Sequence, residues 1–184
     1  PHARPPLPVA RSRMVVAPEG AAPPAPAGGL IAQAAGEGAR LVALPEYFWI
    51  LGRHETDKVK VRETDAAEAG GGGPIQSFLA EAASRNKVWL VGGTVPLACS
   101  DPVRVRSACC VFDDTGKRVA RYDKIHLFSF RQGSENYDET RTMQPGDKAV
   151  KLESPFGRLG LSVCYDVRFR ELYRTNPPID LWLV

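Results

Sequence analysis

The sequence predicts an α/β fold built as one domain, and three observations carry that prediction. Short β-branched runs alternate with helical stretches along the chain. Glycine, proline and acidic turn residues punctuate the alternation. A chain of 184 residues with 43% hydrophobic content is ample for one core and short for two.

The elements follow in order. Residues 1–29 read as a poorly ordered leader, rich in Pro, Ala and Gly, in which Arg13-Met-Val-Val-Ala17 could supply a first strand. The domain is expected over residues 30–184. Leu30 to Gly36 is amphipathic and helical, with Gly36 and Gly38 near its end, and Arg40 to Leu44 is a buried strand. The glycine run Ala69 to Gly73 lacks the Gly-Lys-Ser/Thr of a phosphate loop and reads as a flexible linker. Pro74, at the favoured first position, opens a helix to Asn86. Lys87 to Val95, Val103 to Phe112 and Arg118 to Tyr122 read as strands, the last two joined by Asp113-Asp-Thr-Gly116. Ser134 to Glu139 is polar enough for a loop. Gly157 to Cys164 is a strand, Asp166 to Tyr173 the start of an amphipathic helix, and Asp180 to Val184 a last strand.

Charge and cysteine usage exclude several function classes. The net charge of +3 comes from 24 basic and 21 acidic residues, with no basic stripe interleaved with aromatics, so no nucleic-acid partner is expected. Arg104 and Arg106 alternate with Val103 and Val105 as the wet face of a strand would. No apolar run approaches a membrane span, and Pro1 to Pro8 lacks the apolar centre of a secretory signal. The cysteines at 99, 109, 110 and 164 show neither a CxxC pair nor metal-ligand spacing, and His2, His54 and His126 are too scattered for a zinc site. Reduced thiols in the cytoplasm are expected, with Cys99, Cys109 and Cys110 structural.

Three segments carry chemistry. In Leu161-Ser-Val-Cys-Tyr-Asp-Val-Arg-Phe-Arg-Glu-Leu172 a thiol stands where a strand gives way to a helix. There the helix dipole and unpaired backbone N–H groups would favour thiolate and could hold an oxyanion. A lone cysteine can equally be a small core residue. Ala39-Arg-Leu-Val-Ala-Leu-Pro-Glu-Tyr47 is an apolar strand ending in a carboxylate, and Arg121-Tyr-Asp-Lys-Ile-His-Leu-Phe128 holds a lysine among apolar neighbours. Taken singly, Glu46 reads as well as a loop acid, and Lys124 as a strand-edge charge.

Taken together and in this order, the three segments resemble the carbon–nitrogen hydrolase (nitrilase-like) superfamily, from about Leu30 to the C-terminus. The resemblance implies a four-layer α-β-β-α sandwich, incomplete at the C-terminus because relatives continue past the strand matching Asp180 to Val184. It implies a triad of Glu46, Lys124 and Cys164, acting as base, oxyanion cation and nucleophile, with no metal or organic cofactor. A second family glutamate precedes a Pro-Gly-Asp turn and falls here on Glu139, which would keep Lys124 charged; an exposed loop acid is the other reading. The Tyr165 N–H would be the second oxyanion donor, and Tyr47 and Tyr165 either line the pocket or pack as core aromatics. His126 either shapes the surroundings of Lys124 or packs in the core. Arg170 stands where relatives commonly have proline, and Arg168 and Glu171 form a helical pair or a solvated face.

Tyr122 to Phe128 and Val163 to Phe169 look more like the amidase branches, ω-amidases and deaminated-glutathione amidases, than the true nitrilases. A small linear amide bearing a carboxylate is the expected substrate, with N-carbamoyl amino acids or aliphatic amides as alternatives. A longer parent is expected to be a homo-oligomer. A catalytically inactive fragment with a binding role is a reading from another class. A redox-sensing thiol would need a resolving cysteine near Cys164, and the sequence has none there.

Overall fold

Apolar triplets pairing in parallel make the centre of the main sheet. In the computed structural model, which describes residues 9–11, 25–65, 72–174 and 178–184, β1 (Val9–Arg11), β2 (Leu41–Ala43) and β3 (Trp89–Val91) lie side by side. β5 (Val105–Phe112) runs antiparallel to β3, to β4 (Val95–Ala98) and, on its other edge, to β6 (Arg118–Asp123). The single strand expected over Lys87 to Val95 is therefore two, broken at Gly92 and Gly93. Gly93 sits at φ 52°, where a Cβ would collide with the Pro45 carbonyl oxygen. Only glycine lets the strand end approach the Glu46 loop so closely.

Two long helices cover one face of this sheet. α1 (Ala25–Gly36) and α3 (Pro74–Asn86) bury Ile31, Ile75 and Leu79 against Val42, Leu90 and Cys110. α3 has the bounds the sequence predicts; α1 starts earlier, at Ala25. The last two glycines of the run before α3 are packed rather than loose. Gly73 caps the helix, and a Cβ there would meet the Glu63 side chain, which accepts from the Ile75 and Gln76 N–H groups. The expected first strand, Arg13 to Ala17, most of the leader and Ala69 to Gly71 lie outside the described residues.

The opposite face meets a second sheet. Its central strand β10 (Gly157–Leu161) is antiparallel to β9 (Lys151–Ser154) and parallel to β11 (Leu181–Leu183). Leu41, Val91, Val111 and Tyr122 of the main sheet pack with Leu161, Val163 and Leu172 between the two sheets. Helices, sheet and sheet thus form three layers of the expected sandwich. α4 (Arg170–Tyr173), a single turn, contributes Leu172 to this inter-sheet cluster. The helix expected from Asp166 is broken into a 3-10 turn over Cys164–Arg168 and this α4 turn, with Phe169 extended between them. Arg168 and Glu171 are both exposed, and among the described residues no ion pair joins them.

The polar stretch after Lys124 is not a loop but a hairpin, β7 (Ser129–Gln132) and β8 (Glu135–Asp138), exposed on both faces apart from its last residues. A short turn, α2 (Asp57–Lys60), lies between β2 and α3. No helix among the described residues is long and apolar enough to cross a membrane.

Candidate active site

Glu46 stands just past the end of β2. The Leu44 N–H bonds the Val91 carbonyl at 2.9 Å, and the Tyr47 N–H donates to Thr94 Oγ1 at 2.9 Å. Tyr47 itself adopts φ 57°, a left-handed conformation that side chains rarely take and that surroundings must enforce. The loop is therefore held at both shoulders, with Glu46 between them.

Lys124 follows β6. Its N–H bonds the Ser107 carbonyl at 2.9 Å, and its own carbonyl accepts from Gly146 at 2.8 Å. Gly146 belongs to the Pro-Gly-Asp turn, and a Cβ there would strike the Asp123 carbonyl, so the turn packs directly on the lysine's backbone. The Lys124 side chain is 0% exposed, and Nζ lies 3.0 Å from Glu46 Oε1 and 3.0 Å from Glu139 Oε2.

Glu139 begins a 3-10 turn (Glu139–Arg141) and is 4% exposed, so the exposed-acid reading does not hold. Its carboxylate also accepts from the Tyr47 hydroxyl at 2.8 Å and the Phe128 N–H at 2.7 Å.

Cys164 adopts φ 48°, at the elbow where the chain leaves β10. Its thiol is exposed and, with Glu46, lines a cleft of about 620 Å³ between the two sheets, walled also by Thr94, Ser162 and Trp182. Tyr165 does not face this cleft. Its ring packs edge-on against Phe128 at 5.2 Å and Phe169 at 5.4 Å. Tyr47 is committed to Glu139 and stands behind the cluster rather than in the cleft wall.

Asp166 is the member that sequence reasoning did not single out. It is 0% exposed and accepts from the Tyr122 hydroxyl at 2.7 Å, the His126 N–H at 2.9 Å and the Val163 N–H at 2.9 Å. His126 Nδ1 is 2.6 Å away, its ring stacked on Phe169 at 3.6 Å. One carboxylate thereby ties the segment bearing Lys124 to the elbow bearing Cys164. Its place two residues after the cysteine was the available signal; its burial could not be read from the sequence.

A sequence model of the carbon-nitrogen hydrolase family matches residues 27–178. The chain belongs to that family. Among its relatives, the chloroplastic omega-amidase of Arabidopsis thaliana is 35% identical over 143 residues, covering 77% of this chain and 38% of the relative. Human omega-amidase NIT2 is 35% identical over 143 residues, covering 77% and 49%. The deaminated glutathione amidase of Yersinia enterocolitica is 38% identical over 111 residues, covering 59% and 39%. Among solved structures, Saccharomyces cerevisiae Nit3, of branch 10 of the nitrilase superfamily, superposes with a TM-score of 0.67 at 28% identity, covering 80% of this chain and 51% of Nit3. An amidase from Nesterenkonia sp. shares the fold, with a TM-score of 0.70 at 23% identity over 90% of this chain and 58% of that one. The chain spans about half the length of the relatives it matches, or less.

The electrostatics of this carbon–nitrogen hydrolase site correct one expectation. Desolvation raises the Cys164 pKa above the ordinary thiol value, and the Glu46 carboxylate raises it further; Lys124 opposes without winning. Burial and the neighbouring carboxylate thus work against the thiolate that a helix dipole would favour, and the helix that would supply that dipole is broken into two turns. At Lys124 burial pushes the pKa down, but Glu46 and Glu139 outweigh it and hold the ammonium above the ordinary lysine value. Burial pushes Cys110 up to about 12 and raises Cys109 as well, leaving both inert. The cleft therefore presents a proton acceptor, a fixed cation behind it and a thiol, which is what acyl transfer needs.

Proposed function

We propose that the chain carries the nucleophile, base and oxyanion cation of an amidase that hydrolyses a small, carboxylate-bearing amide to acid and ammonia. The observation that supports this most is the buried Lys124 ammonium, held between Glu46 and Glu139, with Glu46 and Cys164 on one cleft. Glu46 takes the thiol proton as sulfur bonds to the amide carbon. The oxyanion is stabilised by Lys124 and the Tyr165 N–H. Glu46 then gives the proton to nitrogen, the carbon–nitrogen bond breaks, and ammonia leaves a thioester on Cys164. A water deprotonated by Glu46 attacks the thioester and returns the thiol with release of the acid. The substrate class rests on relatives that are omega-amidases and deaminated glutathione amidases. Four free cysteines, two of them fully buried, suit a reducing cytoplasm.

Ammonia release tests the proposal on a 2-oxo-acid ω-amide, a deaminated-glutathione-like amide, an N-carbamoyl amino acid and a nitrile. Release should be abolished in Cys164→Ala and fall on the order of a hundredfold or more in Lys124→Ala. Near-normal turnover in either variant refutes the assignment.

A further inference from the structure

Lys58 is a second buried lysine, and nothing in the chemistry above uses it. It sits on α2, a turn pinned from its outer side. The Asp57 carboxylate accepts from the Arg53 and His54 N–H groups at 3.0 and 2.9 Å and from Lys60 Nζ at 2.8 Å. Lys60 stays in solvent, while Lys58 turns inward and is 5% exposed. Its Nζ lies 3.8 Å from the centroid of the Tyr47 ring, its one direct partner among the described residues. A lysine that merely covers apolar surface keeps its ammonium in water. Here the ammonium is the end driven inside, onto an aromatic face suited to a cation.

The ring connects it to the site. Tyr47 is fixed by its backbone bond to Thr94 and donates to Glu139, the carboxylate that grips Lys124. Glu46 and Glu139 against Lys124 leave one negative charge uncompensated where burial makes that expensive. Around Lys58, Glu139 and Glu46 attract its ammonium, as does Glu55 from its own segment, while Lys124 repels it.

We propose that Lys58 is a positioning residue for this site: through the Tyr47 ring it brings a fourth charge to the Glu46–Lys124–Glu139 cluster and offsets the second carboxylate, supporting Glu46 as the acceptor of the Cys164 proton. Burial lowers the Lys58 pKa, so its influence is strongest at neutral and acid pH and fades as pH rises toward the ordinary lysine value. The assignment of Glu46 as the accepting base rests on the amidase reading.

Lys58→Met keeps the length of the side chain and removes the charge. Two rates are measured: kcat/KM against pH, and iodoacetamide alkylation of Cys164 at pH 7, mapped by mass spectrometry. The acid limb should move up by about half to one pH unit, and alkylation should slow about threefold to tenfold. The melting temperature should fall modestly, because a buried carboxylate loses an opposite charge. Lys58→Gln repeats the test if the Met variant does not fold. An unmoved acid limb with unchanged alkylation in the folded variant overturns the proposal. Alkylation decides the matter whether or not the chain releases ammonia, so loss of the amidase reading is distinguishable from loss of this one.

Discussion

A lysine taken out of water stays charged only where fixed opposite charge replaces its hydration. At Lys124 that replacement is two carboxylates, one reaching the cleft and one sealed behind it. The sealed one, Glu139, also serves the Tyr47 hydroxyl and the Phe128 N–H. Glu139→Ala should therefore destabilise the chain by about 3 kcal/mol or more in urea denaturation, since it removes one of the two carboxylates on a buried ammonium and leaves two donors unpaired. Glu139→Gln should keep the fold and lower turnover tenfold or more; unchanged stability in the Ala variant contradicts a buried cluster. The order of short motifs made Glu46, Lys124, Cys164 and Glu139 legible in the sequence. The burial of Glu139, Lys58 and Asp166 was not legible, because a charged residue is buried only by partners that arrive from distant segments.

Elements decide how accurately those side chains meet. The Lys124 segment and the Cys164 elbow belong to different sheets, and Asp166 fastens one to the other through Tyr122, His126 and Val163. Asp166→Ala leaves buried donors without an acceptor and should cost about 3 kcal/mol or more, read from denaturation beside the exposed control Asp114→Ala. Equal stability of the two variants would mean that Asp166 clamps nothing. Elements with a clean period were visible in the sequence: α3 from its proline and apolar stripe, β5 from the Val/Arg alternation that leads into it. The β7–β8 hairpin was not, since strands wetted on both faces show no alternation to read. The helix after Cys164 was overread for the opposite reason. Its amphipathic spacing is real, but the left-handed elbow and the Asp166 contacts break it into two turns.

At the scale of the molecule, two sheets pack face to face and the site opens where their strands end. β2 delivers Glu46 and β10 delivers Cys164, so the separation of the carboxylate and the thiol is set by how the sheets pack rather than by either loop alone. This also explains why one helical layer and two sheets suffice to assemble the cluster in a chain that spans about half of its relatives. The proposed chemistry requires that Cys164 become acylated with loss of ammonia. The most direct measurement is mass spectrometry of the chain quenched in acid during turnover of its preferred amide. A mass increase equal to the acyl group, mapped to the peptide bearing Cys164 and absent from Cys164→Ala, is the result predicted. Ammonia released while Cys164 stays unmodified, and released equally by the Ala variant, would contradict it.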